Sequence, residues 1–112
     1  MRIYVGAKWE EKDVARHIMD RLEKAGHTIT YDWTLCDQAN SLQALLDKQG
    51  VMTADAFVGI FERELKYQGA IAEFGIACAM EIPCYLIGHA LDNCIFTKLP
   101  NVQYGILSLL EK

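Results

Sequence analysis

Hydrophobic positions along the chain follow two alternating periodicities. Four segments are continuously apolar or alternate polar with apolar residues, as strands do. They are residues 2–5, 27–31, 54–61 and 83–87. The segments between and after them place apolar residues at helical spacing. These predicted helices are residues 13–24, 42–50, 70–80 and, after a short element near residue 102, residues 106–110.

This order of elements predicts one α/β domain that spans residues 1–112. Right-handed βαβ crossovers place the strands in a parallel sheet with helices on both faces. We expect a flavodoxin-like, Rossmann-like three-layer sandwich with strand order 2-1-3-4, followed by a short fifth strand. Ligands of such sheets bind beyond the carboxyl ends of the strands. The loops selected by that rule are residues 6–10, 32–40, 62–68 and 88–92.

The composition narrows the class of protein. A hydrophobic content of 52% is enough for one core, and 11 basic residues against 15 acidic ones give a net charge of -4. The basic residues are scattered along the chain, which argues against binding of a nucleic-acid polymer. No apolar run approaches the roughly 20 residues of a membrane span, and the start lacks a signal-peptide pattern. We therefore expect a cytoplasmic protein without membrane association.

The cysteines and histidines do not predict a metal site. The four cysteines contain no CxxC pair, and the three histidines are not spaced as ligands beside them. Cys78 lies in an apolar helical run and Cys84 in an apolar strand run, where a free thiol usually packs as a small hydrophobe. We expect structural thiols in a reducing compartment, and neither a metal ion nor another cofactor.

The most informative segment, residues 69–75, places the carboxylate of Glu73 near the start of an otherwise apolar helix. A helix N-terminus favours an anion, so we expect Glu73 to be ionised at neutral pH. A carboxylate held in that way is suited to act as a nucleophile. The spacing alone also fits a first-turn glutamate that caps its helix or stays solvated.

Four segments of the chain resemble the nucleoside 2-deoxyribosyltransferase-like superfamily. They are residues 3–6, residues 26–29 with 31–33, residues 54–56, and the glycine-and-glutamate box at 69–75, which is the most specific. The resemblance implies that Glu73 attacks the anomeric carbon of a nucleoside, that Asp55 lies by the base or its leaving proton, and that Tyr4 orients the nucleophile. The residues themselves leave simpler interpretations open. Asp55 also fits a strand-end carboxylate bound to backbone amides, and Tyr4 an ordinary strand aromatic.

The implied reaction suits these residue types. Cleavage of an N-glycosidic bond builds positive charge on the sugar and negative charge on the base, which a carboxylate and an acid can stabilise. We expect cleavage or transfer at the N-glycosidic bond of a nucleoside or nucleoside 5′-phosphate by a retaining mechanism, with water giving a hydrolase and a second base a transferase. The alternative is a protein that binds a nucleotide-derived ligand without turning it over. An interaction module without a ligand is disfavoured, because Tyr4, Asp55 and Glu73 are expected to converge at one crevice.

The selected loops also supply candidate substrate-binding residues. They are Gly6, Lys8, Trp9, Asp32, Trp33, Gly69 and Asn93. The resemblance implies a 5′-phosphate held by backbone amides and the Lys8 cation, whereas a solvated lysine is the alternative. Trp9 and Trp33 offer aromatic faces on which a base can stack, and we expect at least one of them to be a packing residue. The chain departs from the family at residues 66–68, where family members carry an additional serine or aspartate that is absent here. The resemblance therefore does not imply which substrate is used.

The resemblance further implies a homodimer or a higher homo-oligomer. Family members pair symmetrically, and a C-terminal loop of one subunit completes the pocket of its neighbour. In this chain Asn93 or Tyr104 is the residue expected to cross the interface. The apolar residues of the helix at 70–80 and of the C-terminal segment agree with a surface that needs to be covered.

Overall fold

A five-stranded parallel sheet lies between two layers of helices in the computed structural model, which describes residues 1–36, 39–63 and 68–111. The strands are β1 (Arg2–Gly6), β2 (Thr28–Ile29), β3 (Ala56–Ile60), β4 (Cys84–Ile87) and β5 (Val102–Tyr104). The helices are α1 (Lys12–Lys24), α2 (Ser41–Met52), α3 (Gln68–Ala79) and α4 (Leu107–Leu110). The strand order is β2-β1-β3-β4-β5, so the predicted flavodoxin-like three-layer fold is confirmed.

The two central strands, β1 and β3, set the position of the candidate site. They pair in parallel from Ile3 opposite Ala56 to Gly6 opposite Gly59. All five residues of β3 are buried, as expected of a strand covered on both faces. The carboxyl ends of both strands therefore meet at one edge of the sheet.

The helices form two pairs. Helix α1 buries Ala15, Ile18, Met19 and Leu22 against the sheet and contacts α4. Gly26 follows α1 with a φ of 97°, the left-handed conformation that suits a glycine after a helix end. Helices α2 and α3 pack against each other and against β1, and right-handed crossovers place them on the sheet face opposite α1. Within the described ranges, no helix has both the length and the apolar character needed to cross a membrane.

Two elements differ from their sequence-based expectation. Strand β2 contains only Thr28–Ile29 instead of residues 27–31, because it pairs with β1 over two residues at the sheet edge. Helix α3 is only partly buried: Ala70, Phe74 and Ala77 face the core, whereas Ile71 is 43% exposed. The sequence of α3 is apolar over most of its length, but the helix packs on one sheet face only. One side of it therefore stays on the surface.

Candidate active site

Tyr4 and Glu73 are in direct contact on the α2–α3 face of the sheet. The Tyr4 hydroxyl donates a hydrogen bond of 2.6 Å to Oε2 of Glu73. Tyr4 lies in the middle of β1 and is fully buried, while Glu73 is the sixth residue of α3 and is partly exposed. The packing of α3 on β1 thus brings together two residues that are 69 positions apart in the sequence.

Two glycines make room for this pair. A Cβ atom on Gly6 would lie 2.9 Å from Oε1 of Glu73 and 3.1 Å from the ring of Phe57. A Cβ atom on Gly50 would lie 2.8 Å from Cδ2 of the Tyr4 ring. The shortest of these distances lie below normal side-chain contacts, so a methyl group at either position would make Glu73 or the Tyr4 ring shift. Gly6, expected to bind substrate, therefore has the additional role of letting the Glu73 carboxyl group lie against the carboxyl end of β1.

Burial controls the ionisation of the pair. Desolvation raises the pKa of Glu73 to about 8, although the hydrogen bond from Tyr4 acts to lower it and the charge of Asp47 adds to the rise. Desolvation, together with the charge of Glu73, holds the pKa of Tyr4 far above its ordinary value, so its hydroxyl remains a donor. The expectation that Glu73 is ionised at neutral pH is wrong. Glu73 lies beyond the first turn of α3, where the helix dipole acts, and desolvation dominates.

Asp47 is a second carboxylate at this site, and sequence reasoning missed it. The partly or fully buried residues Gln43, Leu46, Asp47 and Gly50 share the inner face of α2. Asp47 Oδ1 accepts a hydrogen bond of 3.2 Å from Gln43. Burial raises the pKa of Asp47, while the hydrogen bond from Gln43 and the nearby Tyr4 hydroxyl act to lower it.

The apolar pattern that predicted helix α2 did not identify which side of the helix faces the sheet. The helix was inferred from its leucines, yet Leu42 is 64% exposed and Leu45 is 47% exposed. The signal that could have found Asp47 is the spacing of residues 43, 46, 47 and 50, which places a carboxylate on the same stripe as a glycine.

Asp55 lies at the opposite edge of the sheet. Its side chain accepts a hydrogen bond of 2.8 Å from the backbone N–H of Arg2, and its own N–H donates to the Arg2 carbonyl at 2.7 Å. Arg2 and Gly6 are the two ends of β1 and lie about 13 Å apart at about 3.3 Å per residue. The expected convergence of Asp55 with Tyr4 and Glu73 is therefore wrong. Asp55 precedes its strand, so it belongs to the amino edge, whereas Glu73 lies at the carboxyl edge.

Two neighbouring clefts lie at the loops after β1 and β2 and at the start of α3, and the described residues that line them do not include Tyr4 or Glu73. The larger, cleft A, has a volume of about 500 Å³ and is lined by Ala7, Lys8, Trp9, Glu10, Ala39, Gln68, Gly69 and Ala70. The smaller, cleft B, has a volume of about 380 Å³ and is lined by Ala39, Asn40, Ser41, Gln43, Ala44 and Asp47. The clefts share Ala39. Glu73 lies one helical turn after Gly69, on the same side of α3.

Lys8 is a buried cation in the wall of cleft A. Its side chain is only 3% exposed, and Nζ lies 3.6 Å from Oε1 of Glu11. The same oxygen lies 3.1 Å from Nε of Arg63. The structure thus rules out the alternative of a solvated Lys8, because the ammonium group lies within a cluster of charged side chains behind the cleft.

The second strand and its loop contribute mainly to packing. Trp33 is buried, and its indole N–H donates to the Val5 carbonyl at 2.6 Å. Asp32 accepts a hydrogen bond of 3.0 Å from the backbone N–H of Thr34 and caps a short 3-10 helix. The structure gives both residues a structural role, and their contact with substrate stays a prediction. Trp9, which lies 6.3 Å from Trp33 between ring centroids, is 42% exposed and remains at cleft A.

Two further residues expected to bind substrate, Gly69 and Asn93, differ in their position relative to the clefts. Gly69 is exposed on α3 and lines cleft A. Asn93 lies in an exposed turn after β4 and lines neither cleft A nor cleft B, so its action in a neighbouring subunit stays a prediction. Residues 66 and 67, where the chain departs from the family, lie outside the described residues. In the part of the chain that the structure describes, no three Asp, Glu, His or Cys side chains are grouped to hold a metal ion.

Comparison with known proteins supports the fold. No protein-family model matches the sequence, and no curated protein is significantly similar to it. The chain is similar in structure to the CMP N-glycosidase BcmB of Clostridium botulinum, with a TM-score of 0.72 and 21% identity over 94% of this chain and 87% of that one. It is also similar to a conserved protein of Enterococcus faecalis V583, with a TM-score of 0.65 and 14% identity over 98% and 86% of the two chains. At these identities the likeness shows the fold alone, which is the flavodoxin-like three-layer fold expected from the sequence.

Proposed function

We propose that this protein cleaves the N-glycosidic bond of a nucleoside 5′-phosphate, with Glu73 as the nucleophile. The observation that carries the proposal is the hydrogen bond between Tyr4 and Glu73, which fixes a carboxyl group at the carboxyl edge of the sheet. The fold it shares with BcmB, described as a CMP N-glycosidase, supports the same reaction class. Parallel α/β sheets bind ligands at this edge.

The reaction takes two steps. In the first, the Glu73 carboxylate forms a bond to the anomeric carbon while the bond to the base nitrogen breaks, and the base leaves with the electron pair and gains a proton. In the second, water attacks the glycosyl ester, which releases the sugar phosphate and restores the carboxylate. A second base that takes the place of water gives transfer. Tyr4 keeps the carboxyl group oriented throughout, because its own hydroxyl stays protonated.

The raised pKa of Glu73 sets a condition on this chemistry. With a pKa of about 8, most of the free protein carries a protonated Glu73 at neutral pH, and only the ionised form is nucleophilic. Positive charge that develops on the sugar favours the ionised form in the transition state. Activity is therefore expected to rise with pH up to about 8.

Lys8 and the volume of cleft A favour a phosphorylated substrate. The volume of about 500 Å³ lies within the range of small-molecule sites, about 300–1,000 Å³. A buried ammonium group in its wall attracts an anion such as a 5′-phosphate. Trp9 offers an exposed aromatic face on the same wall.

Incubation with a panel of nucleosides and 5′-nucleotides, with and without an acceptor base, tests the proposal by chromatography of the released base. We expect release from at least one 5′-nucleotide by the native protein and none by Glu73→Gln. Binding without release by the native protein at every pH would favour the second candidate, a nucleotide-binding protein. The burial of Glu73 favours this candidate, because it raises the pKa of the carboxyl group to about 8 and a neutral carboxyl group is a poor nucleophile.

A further inference from the structure

We propose that the protein has a second ligand site, on the α1–α4 face of the sheet, which binds a small aromatic carboxylate. The site is a cleft, cleft C, with a volume of about 320 Å³. Its walls come from α1, from the end of β4 with the turn after it, and from the end of β5 with the turn after it. Among the described residues, none that lines cleft C also lines cleft A or cleft B. The inference is therefore independent of the proposed function.

Cleft C exists because α1 and α4 cover their face of the sheet unequally. Helix α1 has 13 residues, whereas α4 has only 4. The buried residues that line the cleft between them are Ile18 of α1, Leu86 of β4 and Ile106, each at most 8% exposed. The deepest part of the cleft is therefore apolar, and an apolar group that enters it is removed from water.

Two stacked rings form one wall of cleft C. The ring centroids of His89 and Tyr104 lie 4.6 Å apart, with an interplanar angle of 18°. Asp92 holds both rings, since its carboxylate accepts a hydrogen bond of 2.5 Å from the Tyr104 hydroxyl and lies 3.1 Å from Nδ1 of His89. The two rings are thus fixed in place although both are exposed. A fixed and accessible aromatic surface is suited to stacking with a planar ligand.

Arg21 of α1 supplies a positive charge at the opening of cleft C. Within the described ranges, no carboxylate forms an ion pair with its guanidinium group, and the described residues that line the cleft include no acidic one. An adjoining depression of about 330 Å³ shares Arg21 and is also lined by Lys24, which lies on the same side of the helix. A guanidinium group binds a carboxylate through two parallel hydrogen bonds, so Arg21 is suited to hold the charged end of a ligand.

These features together define the chemical class of the ligand. The apolar interior disfavours a strongly hydrated polyanion, because its charges would be desolvated without partners. A flat ring system fits between the apolar residues and the stacked rings, and a single carboxylate on it reaches Arg21 at the opening. The volume of cleft C lies near the lower end of the range for small-molecule sites, about 300–1,000 Å³, which suits a molecule of one or two rings.

Titration with 2-naphthoate, followed through the backbone amide NMR signals, tests the inference. Its uncharged counterpart 2-naphthamide has the same rings without the negative charge. We expect 2-naphthoate to bind with a Kd of about 1 mM or below and to shift the signals of residues 86–89 and 104–106, which belong to cleft C. No shift of these signals at about 5 mM ligand would overturn the proposal. Shifts confined to residues 7–10 and 68–70 would also overturn it, because those residues line cleft A.

Substitutions at exposed positions separate the contribution of the charge from that of the rings. We expect Arg21→Gln to weaken binding of 2-naphthoate by about 10-fold and to leave 2-naphthamide within about twofold. Tyr104→Ala removes part of the aromatic wall and is expected to weaken both ligands by about threefold or more. The matched control Lys48→Gln, an exposed cation on α2, is expected to bind both as the native protein does.

The same spectra show whether each variant is folded, since signals far from cleft C are expected to keep their native positions. Equal affinity of Arg21→Gln and the native protein for 2-naphthoate would overturn the role of the carboxylate. Equal affinity of Tyr104→Ala for both ligands would overturn the role of the aromatic wall. None of these measurements requires cleavage of a nucleotide, so their failure leaves the proposed function standing.

Discussion

Gly6 and Glu73 lie so close that a single methyl group on Gly6 would come within 2.9 Å of Oε1 of Glu73. The ring of Phe57 lies 3.1 Å from the same point, so an added methyl group would be crowded on two sides. The position of the candidate nucleophile therefore depends on the absence of a side chain at the end of β1.

The first prediction follows from this contact. We expect Gly6→Ala to displace the Glu73 carboxyl group and to lower kcat for base release by about 10-fold to 10²-fold, since misplacement by about 1 Å has effects of that size. The matched control is Gly75→Ala on α3, where an added Cβ atom meets nothing within 4 Å. That variant is expected to retain native turnover and to be more stable by up to about 1 kcal/mol. Equal turnover in Gly6→Ala and the native protein would show that the contact does not position the nucleophile.

The hydrogen bond from Tyr4 gives a prediction about pH. Tyr4→Phe removes an interaction that lowers the pKa of Glu73, so the midpoint of the pH–kcat/KM profile is expected to move above about 8. The plateau rate is also expected to fall, because the carboxyl group loses its orientation. Tyr31→Phe is the matched control, since the Tyr31 hydroxyl bonds to Gln43 and not to Glu73. A midpoint that is the same in the native protein and in Tyr4→Phe would contradict this role.

Much of the fold was predictable because the buried strands of a parallel sheet appear in the sequence as nearly continuous apolar segments. Residues 54–61 are almost continuously apolar, and the structure places the fully buried β3 within them. Local sequence patterns indicate less clearly which edge of the sheet a residue occupies. Asp55 and Glu73 both flank or follow buried strands, yet only the residue that follows its strand lies at the carboxyl edge.

The candidate site was predictable only in part, since it depends on contacts between distant segments. The pair formed by Tyr4 and Glu73 was expected from the family resemblance, and the structure brings the two residues together. No motif or family resemblance in the sequence pointed to Asp47. It belongs to a helix on which Leu42 and Leu45 face solvent, so its inward position follows from the packing of α2 on Tyr4 and not from the apolar pattern.

Burial of Glu73 also predicts how stability depends on pH. Folding raises its pKa from 4.5 to about 8, so the folded state binds more protons than the unfolded state between these values. The contribution to stability is fully present below pH 4.5 and is lost as the pH rises through about 8, by at most about 5 kcal/mol.

Urea unfolding at several pH values checks the direction in which stability changes with pH. The free energy of unfolding of the native protein, minus that of Glu73→Gln, is expected to fall between about pH 5 and about pH 9. The glutamine variant supplies the control, because its side chain cannot ionise while all other groups titrate as before. A difference that is constant over this range would mean that the pKa of Glu73 is not raised.

The surface of α2 and α3 predicts self-association. Leu42, Leu45 and Ile71 are exposed on these neighbouring helices, and such apolar residues are usually covered in an assembly. We expect light scattering at micromolar concentration to give a homodimer mass or a multiple of it. Ile71→Glu is expected to shift the protein toward the monomer, because Ile71 is exposed on α3. A native monomer with full activity would contradict both the dimer and a site shared between subunits.

The most direct test of the central claim is to trap the sugar on Glu73. A 2-fluoro-substituted analogue of the cleaved 5′-nucleotide slows hydrolysis of the glycosyl ester, so the intermediate accumulates and is detected by mass spectrometry of the intact protein and its peptides. We predict one fluororibosyl phosphate per chain, located on the peptide with Glu73 and absent from Glu73→Gln. Release of base from the analogue without any adduct, or an adduct on another residue, would contradict the assignment of Glu73 as the nucleophile.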